Sequence, residues 1–387
     1  MDGTFWEACA AGDGKAVRAA LAGDIAWANR LDERGMPPLV HATFSPRLRD
    51  PASAAAVRDC VRVLLDAGAD PNGSWTNECG PLSALYGAAG MHHDPPLTEV
   101  LLAAGATPND NESLYHSLET GDDHCLLLLL RAGAVITGTN AFFHLLDWER
   151  PDRVRLFLDH GADPNEGSAH LKGPLYHALR RGRSDEVIRL LLDAGAAVTG
   201  DAYRLAVRLG RAGVVDEFRA RGVEFPLGPE ERFVFACAAA DEAGARAQLA
   251  EDPDLIHRLT GEQLRVLPAL AAIGESAGVR VMVELGWPIG VPGGDWHASA
   301  LNLAVFRGDA GLTRFLLSHG AHWTERHGYD SDVRGTLAWA SKARPVPDGD
   351  WVGCARALRE AGMEIPPPEL TYSPEVEAAL GRTPRPQ

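Results

Sequence analysis

Apolar positions along the chain fall into short helical stretches separated by glycine-rich turns. In GPLYHALRRG, residues 173–182, Leu175, Ala178 and Leu179 take the i, i+3, i+4 spacing of one buried helix face. The same ten residues carry Tyr176, His177, Arg180 and Arg181 on the remaining faces. A second, more apolar kind of segment follows, VIRLLLDAGA (187–196), which ends in glycine. This ending recurs as LLDAGADPN (64–72), LLAAGATPN (101–109), LLRAGAVIT (129–137), FLDHGADPN (157–165), LLDAGAAVT (191–199) and LLSHGAHWT (316–324). Weaker copies are FRARGVEF (218–225), VELGWPI (283–289) and LREAGMEI (358–365). From Gly68 through Gly105, Gly133, Gly161 and Gly195 to Gly222, successive glycines lie 27 to 37 residues apart. A glycine just past an apolar helix suits a left-handed C-terminal cap, where a side chain would clash.

Upstream of each cap lies a second short helix that opens near a proline or small residue, as in PPLVHATF, SALYGAA, SLYHSLETG, AFFHLLDWE, AYRLAVRLG, SALNLAVFRG and GTLAWASK. Two short helices, a cap and a loop on a period near thirty residues predict an all-α helical solenoid. The chain resembles the ankyrin-repeat proteins of bacterial type, whose pattern is G-x-T-P-L-H-x-A-A-x-x-G followed by an outer helix ending L-L-x-x-G-A-D-x-N. GPLYHALRRG with VIRLLLDAGA follows that pattern closely, Tyr176 standing in the family's histidine position. About eleven partly degenerate repeats fit between residues 3 and 365. The resemblance implies an elongated, curved array.

Two features depart from a uniform array. SPRLRDPASAAA (45–56) and MHHDPP (91–96) are insertions, expected as ordered loops on the rim. FACAAADEAGARAQLAEDPDLIHRL (235–259) is more like the opening EACAAGDGKAVRAALAGDIAWANRL (7–31) than like its neighbours. A starting-type repeat in mid-chain predicts two sub-arrays in tandem, residues 1–227 with about seven repeats and 228–365 with about four, with a break near Pro226 to Pro229. Residues 366–387 form a Pro-rich tail with at most one short helix after Pro374.

Composition narrows the functional classes. The chain has 387 residues, 45% of them hydrophobic and 23% charged, which is globular composition. A formal net charge of −16 argues against nucleic acid as the main partner, because phosphate binding needs a basic face. Lys15, Lys172 and Lys342 are the only lysines, a bias toward arginine that points to GC-rich, bacterial coding. The opening MDGTFWEACAAGDG lacks a basic segment followed by an apolar core, so no signal peptide is expected, and CLLLLL (125–130) is far too short to span a membrane. The six cysteines, Cys9, Cys60, Cys79, Cys125, Cys237 and Cys354, form no CxxC pair. Reduced thiols, a cytoplasmic location, no metal site and no cofactor are the expectation.

The family resemblance implies a groove lined by the inner helices, chiefly by the residue after the family histidine and the two before the helix-ending glycine. The first column reads Glu7, His41, Gly87, His116, His144, His177, Leu205, Leu303 and Trp339. The second includes Glu119, Thr120, Asp147, Trp148, Arg180, Arg181, Arg208, Leu209, Phe306 and Arg307. Adjacent inner helices should lie ~8–10 Å apart, which makes His116, His144 and His177 a ladder. Asp147 lies one turn from His144, and Arg180 nearly one turn from His177. Tyr86, Tyr115, Phe143 and Tyr176 stand in the structural histidine position and are expected to pack. His92, His93 and Asp94 share a loop without the spacing of a metal site. The loop HWTERHGYDSDVRG (322–335) carries Trp323, His327, Tyr329 and Asp330, aromatic residues of the kind found in binding hot spots.

Two functions remain open. No phosphate-binding glycine loop, nucleophile elbow or zinc-peptidase motif is present. The favoured reading is therefore a non-catalytic recognition module that holds a protein partner in the groove. Its binding residues would be His41, Trp148, Arg180, Arg181, Arg208, Trp323 and Tyr329. Five arginines, Arg180, Arg181, Arg183, Arg204 and Arg208, also suit an anionic small molecule. The alternative is a cofactor-independent lyase, dehydratase or cyclase in which His116, His144 and His177 act as general acids and bases with Asp147 orienting one of them.

Overall fold

A computed structural model of the protein describes residues 2–78, 80–167, 172–365 and 369–382, with no account of the side chains of residues 2–4. It is an all-α solenoid of helix pairs, and the described residues contain eleven such pairs. The chain divides into two compact units, residues 1–178 with 189–196, and residues 179–188 with 197–387.

In the first unit the pairs are Asp2–Ala11 with Gly14–Gly23, Pro38–Thr43 with Pro51–Asp66, Ala84–Tyr86 with Pro95–Ala103, Glu112–His116 with His124–Arg131, and Ala141–Leu145 with Pro151–Asp159. Local chemistry sets their ends. Asp50 accepts from the Ala52 amide and Asp94 from the Leu97 amide, each just before a proline that supplies the preset φ of a first helical turn. Outer helices stop at glycines with φ near +90°, +84° at Gly68, +96° at Gly105, +88° at Gly133 and +84° at Gly161. The amide beyond each glycine reaches back five residues, as from Ala69 to the Leu64 carbonyl at 2.9 Å and from Ala106 to Leu101 at 3.0 Å. That bond satisfies a carbonyl the helix would otherwise leave orphaned.

The asparagine that follows the caps at Gly68, Gly105 and Gly161 has a separate task. Asn72 accepts from the Thr107 amide at 2.8 Å and donates to the Gly105 carbonyl at 3.2 Å. Asn109 does the same one repeat later, with the Val135 amide at 2.7 Å and the Gly133 carbonyl at 3.4 Å. Asn29 bridges Asp70 and Gly68 in like manner, and Asn165 donates to the Gly195 carbonyl. Each carboxamide thus straps one loop to the next, which explains the DPN of the repeated string. Asn109→Ala is expected to cost about 1–2 kcal/mol, two hydrogen bonds' worth, measured as a shift of the urea midpoint.

The insertion at 45–56 does not form a loop. Pro46–Arg49 is a single 3₁₀ turn, and the rest extends the outer helix Pro51–Asp66 to 16 residues. The Asp50 cap and the alanine run of residues 52–56 favour helix strongly enough to decide this. A small antiparallel hairpin, Ser74–Asn77 with Gly80–Ser83, follows the same repeat.

In the second unit the pairs are Gly200–Arg208 with Ala212–Ala220, Pro229–Ala238 with Glu242–Glu251, Val266–Ile273 with Ser276–Glu284, Ala300–Arg307 with Ala310–Ser318, and Val333–Ala343 with Trp351–Glu360. A further pair, Pro174–Arg180 with Asp185–Asp193, is divided between the two units. Across Pro226–Pro229 the inner helix Gly200–Arg208 packs on the next inner helix, Pro229–Ala238. One apolar core runs from Leu209 to Leu380 and takes in Tyr372, Val376 and Leu380 of the C-terminal segment. Helix Pro374–Ala379 therefore covers the end of the stack, and Arg382 pairs with Glu377 at 3.0 Å. Residues 366–368 and 383–387 of the Pro-rich tail lie outside the described residues.

Candidate functional site

The first unit brings the predicted histidine column together as a continuous ladder of imidazoles and carboxylates. His116 Nδ1 lies 3.1 Å from Glu119 Oε1, and the same oxygen is 3.5 Å from His144 Nε2 on the next inner helix. His144 Nδ1 faces Asp147 Oδ2 at 3.8 Å, and Asp147 Oδ1 is 3.0 Å from His177 Nε2. The first rung closes outward through Glu112, 3.3 Å from His116 Nε2. Every contact between rungs joins unlike groups, an imidazole facing a carboxylate, though His144 Nε2 is buried without a hydrogen-bond partner among the described residues.

Aromatic side chains hold the rungs apart. The ring in the structural histidine position of one repeat packs on the histidine of the next: Tyr86 on His116, Tyr115 on His144 and Phe143 on His177. Tyr115 and His144 are stacked at 3.7 Å with 8° between their planes, and Trp148 meets His144 edge-on at 4.4 Å. Burial raises the Tyr115 phenol above its ordinary range, with Asp147, Glu119 and Glu112 adding to the effect. Trp148 stays 39% exposed beside the ladder. Chemically, the ladder can pass protons, and it can equally serve as a row of packed spacers.

The remaining sequence candidates lie elsewhere. His41 is paired with Asp32 at 3.0 Å, and Asp32 also accepts from the amides of Arg34 and Met36. Burial pulls the Asp32 carboxyl upward, but those amides and His41 pull it down and prevail. An open depression of about 710 Å³ lies there, lined by Trp6, Glu7, Arg30 to Arg34 and His41. In the second unit Arg180 and Arg181 both pair with Asp295, and Arg208 with Glu262. Binding an anion at these guanidinium groups would have to displace a carboxylate. Trp323 is half-buried beneath the Arg334 guanidinium, 4.9 Å from its ring, whereas Tyr329 is 78% exposed.

His92 and His93 follow a π-helical turn, Gly87–Met91, packed against the inner helices. Burial holds the His92 imidazole below the ordinary histidine range, and Arg49 adds to this against the Phe44 carbonyl and Asp94. The unfolded chain then has the higher histidine pKa, near 6.5, and takes up the proton first. Stability is full above that value and falls as pH drops through it toward the folded pKa. His41 acts in the same direction, because burial outweighs Asp32. His92→Gln is expected to flatten the loss between pH 7.5 and pH 5, read from urea midpoints at the two pH values.

A second cluster, in the second unit, contains residues that the repeat pattern does not single out. Trp296, Phe306, His327, Tyr329, Ser331, Gly335, Thr336 and Trp339 line a pocket of about 510 Å³. Phe306 and Trp339 come from the inner helices Ala300–Arg307 and Val333–Ala343 and stack at 5.5 Å with 7° between planes. Trp296 stands on a connecting loop, 5.2 Å from Phe306 at 60° and 5.2 Å from His327 at 75°. The Gly328 amide donates to the Trp296 carbonyl at 2.7 Å, locking the two loops together. Asn302, fully buried, donates to the Glu325 carbonyl at 3.1 Å and so ties the loop to the inner helix. Trp296 lies in VPGGDWHASA, between repeats, and its only sequence signal is an aromatic residue in a Gly-rich connector.

No protein-family model matches the chain. A curated relative, the transient receptor potential channel pyrexia of Drosophila melanogaster, is 30% identical over 137 residues, 33% of this chain. The chain spans 14% of that relative's length. Among solved structures it is similar to the human ASB11 ankyrin repeat domain, at 22% identity and a TM-score of 0.41, covering 58% of this chain and 99% of that one. It is similar also to an ankyrin repeat domain from Acinetobacter baumannii AYE, at 24% identity and a TM-score of 0.42, covering 51% of this chain and all of that one. Among the described residues no helix is long and apolar enough to cross a membrane, and no group of three or more His, Cys, Asp or Glu side chains could hold a metal ion.

Proposed function

We propose that the protein is a non-catalytic recognition module that binds a protein partner on the inner-helix side of its repeats. The observation that carries this reading is the aromatic pocket of the second unit. Trp339, 55% exposed on its inner helix, and Tyr329, 78% exposed on the loop that the Gly328–Trp296 bond fixes, stand at its rim. Rigid aromatic anchors on a preorganised surface bind with little ordering cost. The net charge of −16 disfavours nucleic acid as the partner, and the reduced, buried Cys9, Cys60, Cys125, Cys237 and Cys354 suit the cytoplasm.

A second reading, a cofactor-independent lyase, dehydratase or cyclase, has one observation in its favour. His144 sits between Glu119 and Asp147, carboxylates that could orient an imidazole acting as general acid or base. An anionic substrate would then need Arg180, Arg181 or Arg208 to leave its present carboxylate.

Capture of proteins and metabolites from lysate of the native host, read by mass spectrometry, separates the two. The recognition reading expects a stoichiometric protein bound by wild type, lost in Tyr329→Ala/Trp339→Ala and kept in His144→Ala/His177→Ala. A retained metabolite lost only in the histidine variant, with no protein bound, would replace recognition by catalysis.

A further inference from the structure

We infer that the aromatic pocket of the second unit binds a methylated ammonium group, a cation without hydrogen-bond donors. The inference rests on the recognition reading and names the chemistry of its anchor. Five of the eight lining residues are aromatic: Trp296, Phe306, His327, Tyr329 and Trp339. The other three are Ser331, Gly335 and Thr336, so no aliphatic and no formally charged side chain lines the pocket.

That composition discriminates among ligands. An aliphatic side chain would gain the same burial from leucine or valine walls, and an all-aromatic wall adds nothing specific for it. Aromatic faces carry the negative lobe of the ring quadrupole, which attracts cations and repels anions. The protein's overall charge of −16 works in the same direction. An unmethylated ammonium brings three N–H donors that must find acceptors when desolvated. The pocket offers such an ammonium no carboxylate, only neutral hydroxyl and imidazole acceptors. Methylation removes the donors, lowers the hydration cost and leaves the charge.

Geometry and electrostatics fit the same group. Trp296, Phe306 and His327 meet at 60° and 75°, forming a corner of π faces with Tyr329 6.0 Å beyond His327. Burial holds the His327 imidazole below the ordinary histidine range, against Asp332 and with Arg326, so at neutral pH it adds no positive charge. The nearby charges are internally matched, Arg326 with Asp330 and Arg334 with Asp332 at 2.6 Å. A volume of about 510 Å³ accommodates the group and the start of its tether.

Calorimetric titration of the full chain tests this with four probes. These are choline, its neutral isostere 3,3-dimethylbutan-1-ol, a short peptide bearing Nε-trimethyllysine, and the same peptide with unmodified lysine. Choline is expected to bind on the order of tenfold more tightly than the neutral isostere. Trp339→Leu, at an exposed position, and Trp296→Leu should each erase that difference, with circular dichroism melts confirming that the fold persists. The trimethylated peptide should likewise exceed the unmodified one. If the trimethylated peptide also surpasses choline by tenfold or more, the group arrives on a partner's side chain; if choline equals it, the ligand is a free quaternary amine. Equal binding of choline and its neutral isostere, or no binding of any methylated ammonium probe at millimolar concentration, overturns the inference. Loss of the captured protein in Tyr329→Ala/Trp339→Ala would, in that event, leave the recognition reading standing with a different anchor.

Discussion

Arg153→Ala is expected to destabilise the first unit by about 3–5 kcal/mol, against a loss below about 1 kcal/mol for Arg150→Ala three residues away. Among the described residues Arg153 is the largest fully buried side chain, 1% exposed. Its guanidinium donates to Asp123 at 2.6 Å, to the Leu118 carbonyl at 2.8 Å and to the Thr120 carbonyl at 2.7 Å. Those carbonyls belong to the 3₁₀ turn Ser117–Glu119 and its exit, where an inner helix ends without further intrahelical donors. Truncation leaves the Leu118 and Thr120 carbonyls facing a cavity, each with its desolvation penalty, and removes the partner of Asp123, whose side chain is 36% exposed. Arg150 pairs with Asp152 at 3.2 Å in water, where an ion pair contributes little. Urea unfolding followed by circular dichroism gives the totals, and amide exchange across residues 112–159 locates the loss. In a repeat array, stability is a sum of neighbour terms, so the exchange defect should be local. Equal effects of the two substitutions would mean that water reaches the Arg153 site on relaxation.

The same arginine shows why parts of the architecture were legible in the sequence and parts were not. The repeated LLxxG ending, its left-handed glycine and the DPN asparagine depend on residues a few positions apart, and local chemistry decides them. The histidine column was legible for the same reason, as a fixed position on successive inner helices. What those histidines touch depends on the register between repeats: Glu119 serves His116 on its own helix and His144 on the next. Arg153 reads as a polar residue on an outer helix, because its acceptors are mostly backbone carbonyls more than thirty residues upstream. Arg181 and Arg208 read as part of an open basic cluster, yet their carboxylates come from Asp295 and Glu262, 114 and 54 residues on. Trp296 escaped the column reading altogether, since a connector has no repeat position. The aromatic pocket exists because one connector residue, Trp296, meets Phe306, which stacks on Trp339, and the two column residues were visible only separately.

Glycine supplies the sharpest separation of local from tertiary causes, and Gly210→Ala should cost about 3–5 kcal/mol where Gly68→Ala costs about 1–2. Both residues are left-handed, with φ of +66° and +84°. Gly68 closes an outer helix, and a Cβ there would meet nothing within 4 Å, so only the backbone penalty applies. Gly210 closes an inner helix, and its Cβ would fall 2.3 Å from the Ala238 carbonyl carbon and 2.4 Å from the Ala239 nitrogen. Those are backbone atoms at the end of the next inner helix, and they cannot rotate away. Gly12 and Gly308 are in the same position, within 2.8 Å of Val57 and 2.6 Å of Gly349 backbone atoms. The inner-helix glycines therefore set the closest spacing between successive repeats, while the outer ones only terminate helices. Melting and urea midpoints of Gly68→Ala, Gly210→Ala and the double variant measure the two contributions. The sites share no partners, so their losses should add to within about 0.5 kcal/mol. A Gly210→Ala loss no larger than that of Gly68→Ala would mean that the stack opens at this joint without resistance, and the spacing would then have to be set by the apolar core around Phe233 and Cys237 instead.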